Sequence, residues 1–302
     1  MERTSERVRV VEVGPRDGLQ NEDAILPVSQ RVELLHRLVE AGAKDIEVGS
    51  FVHPKWIPQM ADTDEVARQV ERRPDVTYWG LVPNMRGLER ALAVDIDHVA
   101  LVLSASETHN QKNVNRSIAQ SMEILSDLFE VVRERGLTAR VYISMVFGCP
   151  YEGDIDFAHV MDLAAQVLDM GADHVSLGDT VGMGTPPQVR RECARIIEAF
   201  GARRVALHLH DTRGMGVTNA MVAHAAGMRI FDSSLGGIGG CPYAPGAAGN
   251  LGTEDLVYLM ESLGVETGMD LGQLVRAATW LEEIAEINVP SRCSNYVQSQ
   301  QL

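Results

Sequence analysis

Short runs rich in Val, Ile and Leu alternate with longer amphipathic stretches from the start of the chain to about residue 263. Eight runs read as strands: residues 8–13, 45–48, 77–81, 98–103, 139–145, 174–178, 204–210 and 230–233. Between them, residues 30–41, 86–94, 118–135, 157–170, 187–200 and 216–226 carry apolar positions at the three- and four-residue spacing of a helix with one buried face. Gly42, Gly136, Gly171, Gly201 and Gly227 follow five of these segments, where a helix should stop before the next strand. An unbroken β–α alternation predicts a parallel sheet, and eight units close most naturally into a (β/α)8 TIM barrel. An open doubly wound sheet fits less well, because no Gly-x-Gly-x-x-Gly follows the first strand and no second domain is visible. After the eighth strand come a glycine-rich loop and helices predicted over 253–263 and 271–287. The reading is one catalytic barrel domain over 1–302, with 264–302 as a short C-terminal helical extension. Leu274, Ala277, Ala278, Leu281, Ile284 and Ala285 form a stripe that either seals the barrel or makes the face of a homodimer.

Composition narrows the class. A hydrophobic fraction of 45% supports a large core. The formal net charge of −15 argues against nucleic acid or an anionic membrane as the main partner. The N-terminal segment carries mixed charge without a signal-peptide core, and nothing approaches the ~20 apolar residues of a membrane span. Cys149, Cys193, Cys241 and Cys293 lie far apart without CxxC spacing, which favours reduced thiols in a cytoplasmic protein. Cys149 and Cys193 read as packing, and Cys293 as an exposed tail thiol.

In such a barrel, chemistry gathers at the C-terminal ends of the strands. The first strand runs into Gly14-Pro15-Arg16-Asp17-Gly18, the second into Glu47-Val48-Gly49-Ser50, the sixth into Gly178-Asp179-Thr180, and the seventh ends in His208-Leu209-His210-Asp211. Strand residues two apart face the same way, so His208 and His210 stand together on one side. Taken alone, this pair is as well read as hydrogen-bonded core histidines as it is as a metal site. Asp17 and the side-chain oxygen of Asn250 would complete a mixed N/O set with open positions, suited to Mg or Mn and able to accept Co or Zn.

Several long motifs then resemble one family. Residues Val11-Glu12-Val13-Gly14-Pro15-Arg16-Asp17-Gly18-Leu19-Gln20-Asn21-Glu22 are similar to the opening motif of 3-hydroxy-3-methylglutaryl-CoA lyases. So are the segments 50–60, 148–153, 176–180, 237–244 and 249–255, and the resemblance spans nearly the whole chain. It implies a metal-dependent barrel lyase with Asp17, His208, His210 and Asn250 as metal ligands. It also implies that Arg16, Glu47, Asp179 and Cys241 line the reacting centre, with Gln20 and Ser50 close to the substrate. The sequence departs from the family at Val48-Gly49 and His53, where the lyases vary, which leaves the acyl substituent open.

The implied reaction is a retro-Claisen cleavage of a 3-hydroxy-3-alkylglutaryl thioester to acetyl-CoA and a β-keto acid. Arg16 would offer its guanidinium to the thioester oxygen, where negative charge develops. Its other reading is a structural salt bridge to Glu47 or Asp179. The Cys241 thiol, on the glycine-rich loop, would protonate the departing enolate. His208 and Asp17 are candidate bases, but a metal-bound nitrogen cannot also accept the proton. For the CoA tail, residues 110–116 form an expected loop presenting Lys112, Asn113 and Arg116, with Lys55 as a further candidate. Competing readings are a condensing enzyme of the isopropylmalate or citramalate synthase type, and a lyase for a longer branched acyl-CoA. Leu19, the Cys241 loop and the lack of a sizeable further domain favour the lyase branch.

Overall fold

The structure is a computed structural model that describes residues 6–239 and 249–300. Eight strands form a closed barrel in chain order: β1 (Arg9–Glu12), β2 (Asp45–Ser50), β3 (Thr77–Leu81), β4 (His98–Ser104), β5 (Thr138–Ser144), β6 (His174–Asp179), β7 (Val205–Leu209) and β8 (Ile230–Ser233). Every neighbouring pair is parallel, and β8 returns to β1 with Val11 opposite Asp232. The helices between and after them are α1 (Val28–Glu40), α2 (Thr63–Gln69), α3 (Met85–Leu92), α4 (Glu107–Val114), α5 (Ile118–Arg135), α6 (Phe157–Met170), α7 (Pro186–Phe200), α8 (Gly216–Ala225), α9 (Thr253–Ser262), α10 (Leu271–Ala285) and α11 (Arg292–Ser299). No helix among the described residues is long and apolar enough to cross a membrane.

Local chemistry explains most helix limits. Ser117 and Gln120 form a reciprocal capping box at the start of α5, and Gly136 ends the helix at a φ of 64°. Asp156 caps α6 on the Ala158 amide. The stripe on α10 is spent inside the molecule: Leu274, Ala278 and Leu281 are buried, and Arg37 of α1 stacks on Trp280 at 4.5 Å.

Strand alternation sorts the sheet into two faces. Outward residues such as Val99, Leu101, Val141, Leu177 and Leu207 join the core against the helices. The inner face is less uniform. Val11, Val13, Trp79, Ala206 and Ile230 plug the lower barrel, while Glu47, Arg140, Ser176, His208 and Asp232 are buried polar residues above it. An apolar filling is the usual barrel solution. Here every inward charge must instead find a partner.

Three segments differ from the sequence reading. Residues 110–116, expected as a loop, continue α4 as far as Val114, because the Ser106 hydroxyl caps the His109 amide at the start. Helix α2 was not expected, being only seven residues long. Cys293 is not an exposed tail thiol: it sits half-buried on α11, and burial with Asp255 and Glu254 nearby pushes its pKa up to about 11.

Candidate active site

The chain leaves β1 through a π-helical turn, Gly14–Gly18, in which the Val13 carbonyl receives the amides of Arg16, Asp17 and Gly18. Such widened turns are frequent at functional sites. This one places the Arg16 and Asp17 side chains side by side over the barrel mouth, where they form an ion pair. Across the closure of the barrel, β7 brings His208 and His210 to the same mouth. Their Nε2 atoms lie 3.2 Å apart, and His208 Nε2 is 3.7 Å from Asp17 Oδ2. Asp17, His208 and His210 offer one atom each within 4.8 Å of one another, a grouping able to hold a metal ion.

The protonation states suit such a group. Burial, helped by His208, drives the His210 pKa down to about 3, so its ring is neutral. Burial works to raise Asp17, yet Arg16 and then His208 and His210 hold it down at about 2. A carboxylate and two imidazoles with converging nitrogens are donor types that a divalent ion accepts. Asn250 joins through its amide nitrogen, which donates to Asp17 Oδ2 at 2.9 Å and to the Ile238 carbonyl at 3.2 Å. Its Oδ1 is buried without a hydrogen-bond partner among the described residues. The backbone around it is fixed by a bridge between His210 and Asn250.

Two buried carboxylates support this ensemble. Glu47 accepts Arg16 Nε at 2.5 Å and the Tyr142 hydroxyl at 2.7 Å. Arg16 stacks over the Tyr142 ring at 5.1 Å. Burial opposes the Arg16 charge, but Glu47 and Asp17 keep the group protonated far above any physiological pH. Nε and Nη1 are thus occupied, leaving Nη2 without a hydrogen bond among the described residues. The second carboxylate, Asp232 on β8, accepts two bonds from Arg140 at 2.7 and 2.6 Å and one from Ser176 at 2.7 Å. It also stands 3.4 Å from His208 Nδ1, within ion-pair range though longer than a good hydrogen bond. A proton held at Nδ1 leaves Nε2 as the free lone pair.

The remaining predicted residues divide. Gln20 Oε1 and Ser50 Oγ are buried polar atoms with no partner among the described residues. Asp179 is turned to the loop beyond β6, where it accepts the Met183 and Gly184 amides; burial raises its pKa to about 6. Arg16 therefore pairs with Glu47 and Asp17 and not with Asp179. Lys112 and Asn113 are exposed on α4, with the Lys112 ammonium 5.0 Å from the Tyr151 ring centre. Lys55 is exposed. Cys241 lies outside the described residues. Cys149 is buried, its thiol donating to Ser106 Oγ at 3.0 Å.

Sequence reading missed Tyr142, Arg140, Ser176 and Asp232. The signal was present: Arg140 and Tyr142 alternate with Val141 and Ile143, and Asp232 follows Phe231, so polar groups occupy inward positions of strands that are otherwise apolar. A buried charge there demands a counter-charge. Missed too was Glu22, whose Oε1 accepts the Gly239 amide at 3.1 Å, and the buried pair Glu12 and Glu254. These two carboxylates receive the Leu235 and Gly236 amides beneath the glycine-rich loop.

Comparison with known proteins shows the family. Residues 7–281 match the HMGL-like family model. The chain is 44% identical over 286 residues to hydroxymethylglutaryl-CoA lyase YngG of Bacillus subtilis (strain 168), covering 95% of this chain and 96% of that one. It is 45% identical over 271 residues to the 3-hydroxy-3-isohexenylglutaryl-CoA/hydroxy-methylglutaryl-CoA lyase of Pseudomonas aeruginosa, covering 90% of each. Among solved structures, an HMG-CoA lyase from Acinetobacter baumannii in complex with coenzyme A and 3-methylmalate superposes with a TM-score of 0.93. It shares 39% identity, with 98% of this chain and 96% of that one covered.

Proposed function

The chain belongs to the HMGL-like family, and we propose that it is a metal-dependent carbon–carbon lyase cleaving 3-hydroxy-3-methylglutaryl-CoA to acetyl-CoA and acetoacetate. The observation that carries this reading is the convergence of Asp17, His208 and His210 beside a buried, twice-anchored arginine. Asp17, His208, His210 and the Asn250 side-chain oxygen would hold a divalent ion, for which the hard oxygen donors favour Mg or Mn. Bound there, a divalent cation would acidify the 3-hydroxyl of the substrate and fix its orientation.

The residues of the chain supply the rest. Transfer of the 3-hydroxyl proton to a general base lets the C3–O bond become a carbonyl as the C2–C3 bond breaks, and the electron pair moves onto the thioester as an enolate. Arg16 Nη2, unbonded among the described residues on a guanidinium held by Glu47 and Asp17, would face that developing charge. Because Glu47 and Tyr142 fix Arg16 before substrate arrives, no reorganisation is needed when the charge forms. Cys241 is the proposed acid that returns a proton to C2, giving acetyl-CoA. Gln20 and Ser50 would satisfy their buried oxygens on the polar end of the acyl group. Asp179 would keep the Met183–Gly184 loop in place beside His208.

The CoA tail needs a positive surface within an acidic protein. A cavity of about 710 Å³ opens over the ends of β2 and β3, lined by His53, Arg86, Arg90 and Arg116 among others. Arg90 is neutralised by Asp64, which leaves Arg86 and Arg116 for phosphate. Lys112 and Asn113 of α4, exposed but not among the residues lining this cavity, are the further candidates.

The test is direct. Purified protein incubated with 3-hydroxy-3-methylglutaryl-CoA should release acetyl-CoA and acetoacetate in equal amounts, lose activity on chelation and recover it with Mg or Mn. A protein that instead condenses acetyl-CoA with 2-keto acids, or that binds no divalent ion with the site intact, refutes the reading.

A further inference from the structure

Strand β4 has one interior residue out of step with its neighbours. Ala100, Leu101, Leu103 and Ser104 are buried, yet Val102 among them is half-buried. Val102 lies in register with Tyr142 of β5, so the two side chains stand on the same face of the sheet. That face is the inner one, because the Tyr142 hydroxyl donates to Glu47 and its ring lies 4.6 Å from Arg140. A mid-strand residue left half-buried on the inner face of a closed barrel borders the open mouth, since the other face is covered by helices.

Val102 does not stand alone there. It packs with Leu81 of β3, Ala100 and Tyr142, together with Val52 from the segment after β2, which is also half-buried. Aliphatic carbon therefore covers one side of the mouth, across from Asp17, His208, His210 and Asn250. The polar end of the substrate has partners on the charged side. An apolar wall left partly wet beside desolvated charges gains free energy only when an apolar group covers it. The one such group the acyl portion carries near its reacting carbons is the alkyl branch on C3.

We propose that Val102, with Val52 and Leu81, forms the wall that receives the C3 substituent, and that the side chain at position 102 sets the branch length accepted. This rests on the lyase reading. It gives that reading a substrate preference, which the two relatives above leave open, one being named for the methyl compound and the other for both methyl and isohexenyl compounds.

The test compares kcat/KM for 3-hydroxy-3-methylglutaryl-CoA and 3-hydroxy-3-isohexenylglutaryl-CoA across wild type, Val102→Ala, Val102→Leu, Val102→Phe and Val52→Ala. Methylene-sized changes in apolar pockets discriminate by about 10–200-fold. Val102→Ala should raise the long-to-short ratio at least tenfold, and Val102→Phe should lower it by a similar factor. Should Val102→Ala fold poorly, the Leu and Phe variants carry the comparison at conserved or increased volume. Ratios that stay constant, with both substrates losing activity equally, overturn the proposal, because a merely structural valine would act that way. Wild type inactive on both thioesters overturns the lyase reading, and the wall with it; an active wild type with unmoved ratios overturns the wall alone.

Discussion

Changing Asp232 to Asn should separate stability from metal affinity in this barrel. Asp232 is wholly buried and answers three groups at once: the Arg140 guanidinium, the Ser176 hydroxyl and the imidazole of His208. Burial alone would raise its pKa, but Arg140 and His208 hold it well below the ordinary carboxylate range. Asparagine keeps the shape, removes the charge and turns an N–H toward groups that are already donors. Breaking one side of a buried pair costs about 3–5 kcal/mol, a large part of the roughly 5–15 kcal/mol that keeps a domain folded. Urea denaturation should show that loss directly. Through His208 the same change should weaken divalent-ion binding by about 10–100-fold, the usual effect of removing a group that orients a ligand histidine. The double variant Arg140→Met with Asp232→Leu should recover most of the stability, since apolar replacements of a buried pair are often neutral or better. It should not recover the affinity, because His208 still lacks its acceptor. If Asp232→Asn unfolds within about 1 kcal/mol of wild type and binds metal equally well, the role assigned to this carboxylate is wrong.

Three other perturbations read different parts of the site. Arg16→Lys keeps the charge but loses the planar fork that Glu47 and Asp17 grip; kcat should fall about 10²–10³-fold with an unchanged circular-dichroism melt, and near-normal turnover would remove Arg16 from the chemistry. Gly239 adopts a φ of +107°, and a Cβ there would stand 2.5 Å from Asn250 Nδ2 and 3.0 Å from Gly18 Cα. Gly239→Ala should therefore displace Asn250 and weaken metal binding measured by calorimetry; unaltered binding would show that Asn250 contributes nothing to it. The last is a pH effect. Burial raises Glu254 to about 8 and Glu12 to about 7, so the folded state holds protons that the unfolded chain releases near 4.5. The stability they confer is complete below pH ~4.5 and lost as pH rises through about 8. The urea midpoint should drop between pH 6 and pH 9 and flatten in Glu254→Gln; a midpoint that rises over that interval contradicts the assignment.

Much of this was legible in the chain. Strand positions announce themselves through runs of Val, Ile and Leu between glycines, and a period of two puts His208 and His210 on one face without any structure. Asp17 and Asn250 belong to the same mouth because barrel strands deliver their C-terminal ends to one side. What stayed hidden depends on pairing over distance. Arg140 and Asp232 are 92 residues apart, and neither residue alone shows that it is buried. Helix α4 was hidden for a different reason: its residues ETHNQKNV carry no apolar stripe, and it is held by Ser106 at its start and by Asn110, which bonds to Ser104, Arg116 and Ser121. Periodicity reports hydrophobic faces, and a helix fastened by hydrogen bonds has none to report.

The hydrogen bond between Asn250 and Asp17 joins residues 233 apart, and it crosses the seam where the last strand meets the first. During synthesis Asp17 emerges long before His208, His210 and Asn250 exist, so no nascent fragment short of Asn250 owns the whole proposed ligand set. The Asn250–Asp17 contact is among the most non-local in the chain, and such contacts form late in folding. An ion held by the proposed ligands would act as a latch on the seam, stabilising the closed ring by RT ln(1 + [M]/Kd).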